Sequence, residues 1–211
     1  MAKLRLGVLV SGNGSNLQAI LDAIAAGQLD ARIELVISNV ASARALERAR
    51  AVGVRALALP HKQFSSREAF DARVLEELRA AGVEWVVLAG FMRLLTPAFL
   101  AAYRHRIVNI HPALLPSFPG THAIEQALAY GVKVTGCTVH LVDEGAVDGG
   151  PIIDQRVVPI ESHDTLDSLE PRIHAAEHAL YVDVLRAIAE GRVEVRPGAG
   201  SERTRVRLVR S

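Results

Sequence analysis

An amide, an imidazole and a carboxylate occur in two short motifs whose residue types suit acyl transfer to an amine. Asn109 and His111 lie in the run Asn-Ile-His-Pro, and Asp148 begins the run Asp-Gly-Gly-Pro. The amide can donate a hydrogen bond to a developing oxyanion, and the imidazole can donate a second one or move a proton. The carboxylate can raise the imidazole pKa and accept a proton from the attacking amine. Because side chains alternate along a strand, Asn109 and His111 are expected on one face.

The composition indicates a globular chain without a strong overall charge. It has 211 residues, of which 50% are hydrophobic, a net charge of +1 and one cysteine, Cys137. We therefore expect one domain with a full core, no internal disulfide and a reducing compartment. No run approaches the roughly 18 apolar residues of a membrane span, and the apolar run at 4–10 is too short for a signal sequence. These features predict a cytoplasmic protein that binds neither nucleic acid nor a membrane.

Strand-like apolar runs alternate with amphipathic stretches along the chain. Predicted strands cover 4–10, 32–38, 54–59, 83–89, 106–110, 132–142 and 151–159. Predicted helices cover 15–27, 43–52, 65–81, 96–103, 122–130 and 165–190, and 192–209 is expected to form a closing hairpin. The alternation predicts an α/β fold with a doubly wound, mainly parallel sheet and helices on both faces. Ligands of such sheets bind at the carboxyl ends of the strands.

The loop Ser-Gly-Asn-Gly-Ser-Asn at 11–16 joins the first predicted strand to the first helix. Its glycines allow close approach of a ligand, and the helix start offers free N–H groups to an anion. It is not a dinucleotide fingerprint, because Leu17 stands where the third glycine would be, and it lacks the lysine of a triphosphate loop. The loop therefore favours a single phosphate, with a tight turn and helix cap as the alternative.

The helix at 165–190 contains His-Ala-Ala-Glu-His at 174–178, which matches an inverted zinc-protease motif. A zinc site needs a third ligand, and no acidic helix follows to supply one. We therefore expect no metal and interpret the two histidines as a packed or solvated helix face. Glu177 remains a candidate substrate ligand.

The apolar stretch Gly90–Thr96, which contains Arg93, could line the pocket of a flat aromatic ligand. The alternative is core packing. Arg67, which follows two serines at a predicted helix start, is by default a surface residue.

Taken in order, these motifs resemble the folate-dependent formyltransferase family. The matching blocks lie at 11–16, 66–68, 87–93, 109–120, 148–153 and 177–181. The resemblance implies a Rossmann-like formyltransferase fold and transfer of a formyl group from 10-formyltetrahydrofolate to the amine of glycinamide ribonucleotide, in purine synthesis. The folate is then a co-substrate, and no tightly bound cofactor, metal or covalent enzyme intermediate is implied. The partners are small molecules, and the protein is expected to be a monomer or homodimer.

The resemblance also implies roles for individual residues. Asn109 and His111 stabilise the oxyanion, and Asp148 relays a proton through water. The residues implied to bind the ribonucleotide are Gly14, Ser15, Asn16, Leu17, Gln18 and Glu177. Those implied to bind folate are Arg67, Met92, Arg93, Leu94, Leu95, Asn109 and Asp143.

The resemblance further implies one formyltransferase domain, 1–211. We divide it into a phosphate-binding half (1–105), a catalytic and folate-binding half (106–195) and a C-terminal hairpin or tail (196–211). A cis bond is implied between Leu115 and Pro116. The loop from His140 to Asp148 is one residue longer than the family usually has.

Three alternative functions would account for some of these motifs. Methionyl-tRNA formyltransferase has the same Asn-x-His core but a further C-terminal nucleic-acid-binding domain, for which we expect no room here. Formyltetrahydrofolate hydrolase has an extra N-terminal domain, whereas Leu4 here already begins the sheet. A non-catalytic phosphosugar-binding protein would explain the loop at 11–16 but would leave Asn109, His111 and Asp148 without a role.

Overall fold

The computed structural model describes residues 3–144, 147–196, 198 and 203–209. Gly145 and Ala146 of the loop between His140 and Asp148, and the hairpin turn expected at 197–201 apart from Gly198, lie outside the described residues. The chain divides into two compact units, one ending at Val108 and the other beginning at Asn109.

The first unit alternates strands and helices, as the apolar pattern predicts. Its strands are β1 (Leu4–Val10), β2 (Ala31–Ser38), β3 (Ala56–Ala58) and β4 (Trp85–Leu88). Its helices are α1 (Ser15–Ala25), α2 (Arg44–Ala51), α3 (Arg67–Ala80) and α4 (Pro97–Ala102), with a 3-10 turn at His61–Gln63. β1 pairs in parallel with both β2 and β4, and β2 pairs in parallel with β3. Residues 6–10 of β1 are all buried, as expected for a parallel strand covered on both faces.

Polar residues at the expected places begin two of these helices. The side chains of Ser66 and Thr96 each accept a hydrogen bond from the backbone N–H three residues on, and Pro97 takes the first position of α4. The sequence also suggests a capping box from Ser65 to Glu68. That prediction is wrong by one residue, because Ser66 is the cap.

The second unit holds an antiparallel strand pair under a long helix. β5 (Ile107–His111) leads into it, followed by α5 (Ala123–Tyr130), β6 (Val134–Leu141), β7 (Ile152–Pro159) and α6 (Leu166–Ala189). β6 and β7 pair antiparallel, and α6 packs against both. Ile124, Val158, Leu169 and Ile173 form a buried apolar cluster of this unit. β8 (Val193–Arg196) and β9 (Arg205–Leu208) form the predicted C-terminal hairpin.

The predicted fold class is confirmed. The hydrogen-bonded strand order is β3-β2-β1-β4-β5-β6-β7, which makes a seven-stranded, mainly parallel sheet. Among the described residues, no helix combines the length and the apolar composition needed to cross a membrane.

Candidate active site

Asn109 and His111 each lie within contact distance of Asp148 in the second unit. Asn109 and His111 are alternate residues of β5 and therefore share a face, as predicted. Asn109 Nδ2 donates to Asp148 Oδ1 at 3.4 Å, and His111 Nδ1 lies 3.4 Å from Asp148 Oδ2. The amide, imidazole and carboxylate that the sequence singles out thus form one cluster.

The hydrogen bonds of His111 determine which ring nitrogen faces the carboxylate. Its Nε2 lies 2.7 Å from the carbonyl oxygen of Phe118, which can only accept, so Nε2 carries a hydrogen. Nδ1 is then the nitrogen directed at Asp148. The ring is buried and hydrogen-bonded to the Phe118 carbonyl, which fixes its orientation.

His140, at the end of β6, belongs to the same cluster, although the sequence analysis gives it no role. Its Nε2 lies 3.2 Å from Asn109 Nδ2 and 3.6 Å from Asp148 Oδ1, and its Nδ1 lies 3.0 Å from the carbonyl oxygen of Leu141. That carbonyl only accepts, so Nδ1 carries a hydrogen and the Nε2 of a neutral ring accepts from Asn109. His140 therefore orients the Asn109 amide. The sequence feature that could have indicated this role is a histidine at a core position of an apolar strand.

The loop that carries Asp148 is held in an unusual backbone conformation. Asp148 has φ = 54°, in the left-handed region that few side chains other than Asn and Asp adopt. Its Oδ2 accepts a hydrogen bond of 2.8 Å from the backbone N–H of Gly120. At Gly150 a Cβ would lie 1.8 Å from the carbonyl oxygen of Leu141, so only glycine allows this close approach. Gly150 thus lets the chain pass close to Leu141 on its way to β7.

Burial and charge act against each other on His111 and Asp148. Burial lowers the pKa of His111 below its usual value, although the Asp148 charge and the Phe118 carbonyl act to raise it. Burial also acts to raise the pKa of Asp148, but His140, the Gly120 N–H and His111 outweigh it and the net pKa is lowered. Asp148 is therefore ionised at neutral pH. The sequence predicts that the carboxylate raises the pKa of the imidazole. The Asp148 charge does act in that direction, but burial of the His111 ring outweighs it and the net pKa is lowered.

The segment after His111 is tied to the strands of the same unit. Thr138 Oγ1 donates to the carbonyl oxygen of Ala113 at 2.7 Å and accepts from the backbone N–H of Leu115 at 3.0 Å. The implied cis bond between Leu115 and Pro116 is present. These contacts fix the course of the chain towards Phe118, whose carbonyl meets His111.

The predicted phosphate loop, 11–16, lies between β1 and α1 in the first unit. Gly14 has φ = 78°, and a Cβ there would lie 2.6 Å from the Cβ of Ala45, so this position requires glycine. α1 begins at Ser15 with no side-chain cap and no acidic residue in its first turn. The first turn of α1 thus contains no carboxylate that would repel an anion from its free N–H groups. This helix start therefore suits anion binding.

The other residues implied to bind the ribonucleotide differ in exposure. Ser15 and Asn16 are half-buried, whereas the side chain of Leu17 is fully buried and packs in the core. Gln18 donates to Asp22 and accepts from Arg48. In the second unit, Glu177 is buried on α6 with 4% of its surface exposed.

The residues implied to bind folate include an exposed apolar pair. Met92 and Leu94 are 73% and 56% exposed, which is unusual for side chains of this size. Between them, the Arg93 guanidinium lies over the Phe70 ring, 4.9 Å from its centroid. Leu95 is half-buried, and Arg67 and Asp143 are exposed in their respective units.

Both ends of this segment are hydrogen-bonded within the first unit. Ser11 Oγ accepts from the backbone N–H of Met92 at 2.9 Å, and Asp71 Oδ2 accepts from that of Thr96 at 2.7 Å. The apolar side chains are therefore exposed on a segment whose backbone is held, which suits a flat apolar ligand.

The histidines of the zinc-protease-like motif lie on one face of α6. The rings of His174 and His178 are stacked, with centroids 6.4 Å apart. Across the described ranges, no group of three or more His, Cys, Asp or Glu side chains is placed to hold a metal ion.

Comparison with known proteins finds relatives across nearly the whole chain. Residues 4–185 match the family model described as formyl transferase. The chain is 44% identical over 192 residues to the phosphoribosylglycinamide formyltransferase of Escherichia coli (strain K12), a match that covers 91% of this chain and 90% of that protein. It is 48% identical over 200 residues to the trifunctional purine biosynthetic protein adenosine-3 of Drosophila melanogaster, which covers 94% of this chain but 15% of that protein's length.

A solved structure is similar over almost the full length. The glycinamide ribonucleotide transformylase 1 of Symbiobacterium toebii superposes with a TM-score of 0.93 at 49% sequence identity, covering 99% of this chain and 95% of that chain.

Proposed function

The chain belongs to the formyl transferase family, and we propose that it transfers the formyl group of 10-formyltetrahydrofolate to the amine of glycinamide ribonucleotide, in purine biosynthesis. The observation that carries the proposal is the contact of Asn109, His111 and Asp148 in one cluster. Relatives that the chain matches over nine-tenths of their length bear the name phosphoribosylglycinamide formyltransferase.

In the proposed reaction the substrate amine attacks the formyl carbon directly. A new C–N bond forms, the carbonyl oxygen becomes an oxyanion, and collapse of the intermediate breaks the bond to N10 of the folate. Asn109 and His111 donate hydrogen bonds to the oxyanion, and Asp148 takes the proton of the attacking amine through water, from which N10 is reprotonated. Preorganised donors of this kind each contribute on the order of 100-fold or more in turnover.

The ribonucleotide is proposed to bind through its phosphate to the backbone of Gly14–Gln18. The glycine required at position 14 and the α1 N-terminus support this assignment. Since Leu17 is fully buried, only its backbone is offered to the ligand. Glu177 is assigned to the ribose; its burial suits a hydrogen-bonding role with a fixed rotamer better than a role as a mobile surface charge.

The folate is proposed to pack on the exposed apolar side chains of Met92 and Leu94. Arg93, Leu95 and Arg67 accompany them in the first unit, and Asn109 and Asp143 in the second. In this proposal residues 1–105 bind the phosphate and supply Arg67 and Met92–Leu95 to the folate, 106–195 carry catalysis and the other folate contacts, and 196–211 form the terminal hairpin or tail.

The reactants are small molecules, and the folate serves as a co-substrate that leaves after each turnover. We place the protein in the cytoplasm as a monomer or homodimer, with no metal in its mechanism.

The test is a spectrophotometric assay of 10-formyltetrahydrofolate consumption with and without glycinamide ribonucleotide. We expect loss of the formyl group only when the ribonucleotide is present. Loss in water alone would identify a hydrolase, and no loss in either case would favour a phosphosugar-binding protein. The His111→Ala variant separates these further, because it should abolish transfer while ribonucleotide binding, measured by calorimetry, survives.

A further inference from the structure

Arg48, on α2, contacts the predicted phosphate loop through two of its side-chain nitrogens and the first turn of α1 through the third. Nε donates to the carbonyl oxygen of Asn13 at 2.9 Å, Nη2 donates to Asn13 Oδ1 at 2.9 Å, and Nη1 donates to Gln18 Oε1 at 3.1 Å. One guanidinium thus joins the middle of the loop to the first turn of α1. These residues lie 30 and 35 positions away in the chain, so the contact is a tertiary one.

The same face of α2 holds the loop at a second point. Ala45, one helical turn before Arg48, donates its backbone N–H to the carbonyl oxygen of Gly12 at 3.1 Å. Its methyl group also occupies the space that a Cβ at Gly14 would need. Gly12 and Asn13 are therefore both held by α2 through their carbonyl oxygens.

We propose that Arg48 is a positioning residue for the ribonucleotide phosphate: it fixes the loop at 11–16 in its binding conformation and places a positive charge beside it. This inference rests on the proposed function, since it takes the loop to be the phosphate site. Arginine suits the task because its planar group spans three acceptors at once, whereas the ammonium of a lysine is a single point donor. A preformed loop need not be ordered when the ligand binds, which favours affinity.

The central variant is Arg48→Met, which keeps the aliphatic stem and removes the guanidinium. We expect the KM and the dissociation constant for glycinamide ribonucleotide to rise by about 10- to 100-fold, the range for loss of charge-assisted hydrogen bonds at a binding site. The kcat at saturating ribonucleotide and the KM for folate should change little, because Arg48 contacts neither the catalytic cluster nor the 92–95 segment in the described contacts of its unit. Arg50→Met is the matched control, since Arg50 is an exposed residue of the same helix.

Two further variants separate positioning from simple charge or general damage. Arg48→Lys keeps the charge but cannot reach all three acceptors, so its ribonucleotide affinity should remain well below that of the wild type. Asn13→Ala removes one acceptor and should raise the dissociation constant; because it acts through Arg48, adding it to Arg48→Met should have little further effect. If Arg48→Met proves too unstable for this comparison, Asn13→Ala can be combined with Arg48→Lys instead. The combined change in the dissociation constant should again be smaller than the sum of the two single changes.

The outcomes separate this inference from the proposed function. If the wild type neither binds the ribonucleotide nor transfers a formyl group to its amine, the proposed function is overturned. If the wild type does both and Arg48→Met binds equally well, only the role of Arg48 is overturned. Full recovery in Arg48→Lys, or additive effects of the Asn13 and Arg48 changes, would also overturn it, since charge alone or two independent contacts would then suffice.

Discussion

Replacing Asp148 with asparagine is expected to remove the negative charge of the catalytic cluster while leaving its shape in place. The amide oxygen of asparagine can still accept from the Gly120 N–H, which lies 2.8 Å from Oδ2. Asparagine also tolerates the left-handed backbone at this position, where φ is 54°. A change in activity can therefore be assigned to the lost charge and lost basicity.

The loss in turnover should be large because two contributions disappear together. The amide of the Asp148→Asn variant cannot accept the amine proton, and general base catalysis contributes about 10²- to 10⁴-fold, which is about 3–5 kcal/mol of barrier. The charge that faces His111 Nδ1 at 3.4 Å also disappears. Since Asp148 acts to raise the pKa of His111, that pKa should fall further in the variant. Ribonucleotide binding should remain, because the predicted phosphate loop belongs to the other unit.

The assay compares kcat by folate absorbance with the ribonucleotide dissociation constant by calorimetry. Asp30→Asn, which removes an exposed carboxylate, is the matched control and should behave as wild type. The lowered pKa of Asp148 means that its stabilising contribution is present at neutral pH and is lost as pH falls through its folded pKa. The variant should therefore lose only about 1 kcal/mol of unfolding free energy at neutral pH. Turnover within tenfold of wild type, or loss of turnover in step with ribonucleotide affinity, would refute the reasoning.

Three further predictions follow from backbone geometry, exposure and burial. Gly14→Ala should lower the unfolding free energy, measured in urea, by about 1–3 kcal/mol and weaken ribonucleotide binding. Gly12→Ala, whose Cβ would meet no protein atom within 4 Å, should leave the unfolding free energy unchanged; equal stability of the two variants would contradict this. Changing both Met92 and Leu94 to serine should raise the folate KM on the order of tenfold. The loss of stability should be small, because both side chains are exposed. An unchanged folate KM would show that the two side chains are not part of the folate site. The lowered pKa of His111 predicts that the unfolding free energy falls as pH drops below about 6.5, since the unfolded chain then binds the proton more readily. His111→Gln should flatten this pH dependence in urea titrations between pH 5 and 8. An unchanged dependence of the unfolding free energy on pH would contradict a lowered pKa at His111.

The elements of the fold could be predicted because their signals are local. An apolar run marks β4, and Thr96 with Pro97 marks the start of α4, since the cap and the first turn are set by neighbouring residues. The capping serine of α3 was misplaced by one residue because Ser65 and Ser66 are both suitable caps. The choice between them depends on where the chain enters the helix, which two adjacent serines do not reveal.

The site was predictable where it depends on strand alternation and not where it depends on tertiary contacts. Asn109 and His111 are two positions apart on a strand, so their shared face follows from the sequence. The sequence does not show which strand lies beside β5, so it did not predict the contact of His140 with Asn109. The same holds for Arg48, whose acceptors are more than two dozen residues away and belong to another element.

The protonation of His111 shows why the chemistry needs the structure as well as the motif. The Phe118 carbonyl places the hydrogen of a neutral ring on Nε2, and burial keeps the ring neutral at neutral pH by lowering its pKa. Nδ1 and Asp148 Oδ2, 3.4 Å apart, are then two acceptors that face each other without a hydrogen between them. Such a pair can share one added proton, and the proposed reaction assigns the proton of the attacking amine to Asp148. The residue types alone leave open which nitrogen of His111 carries the hydrogen, whereas its contact with the Phe118 carbonyl places that hydrogen on Nε2.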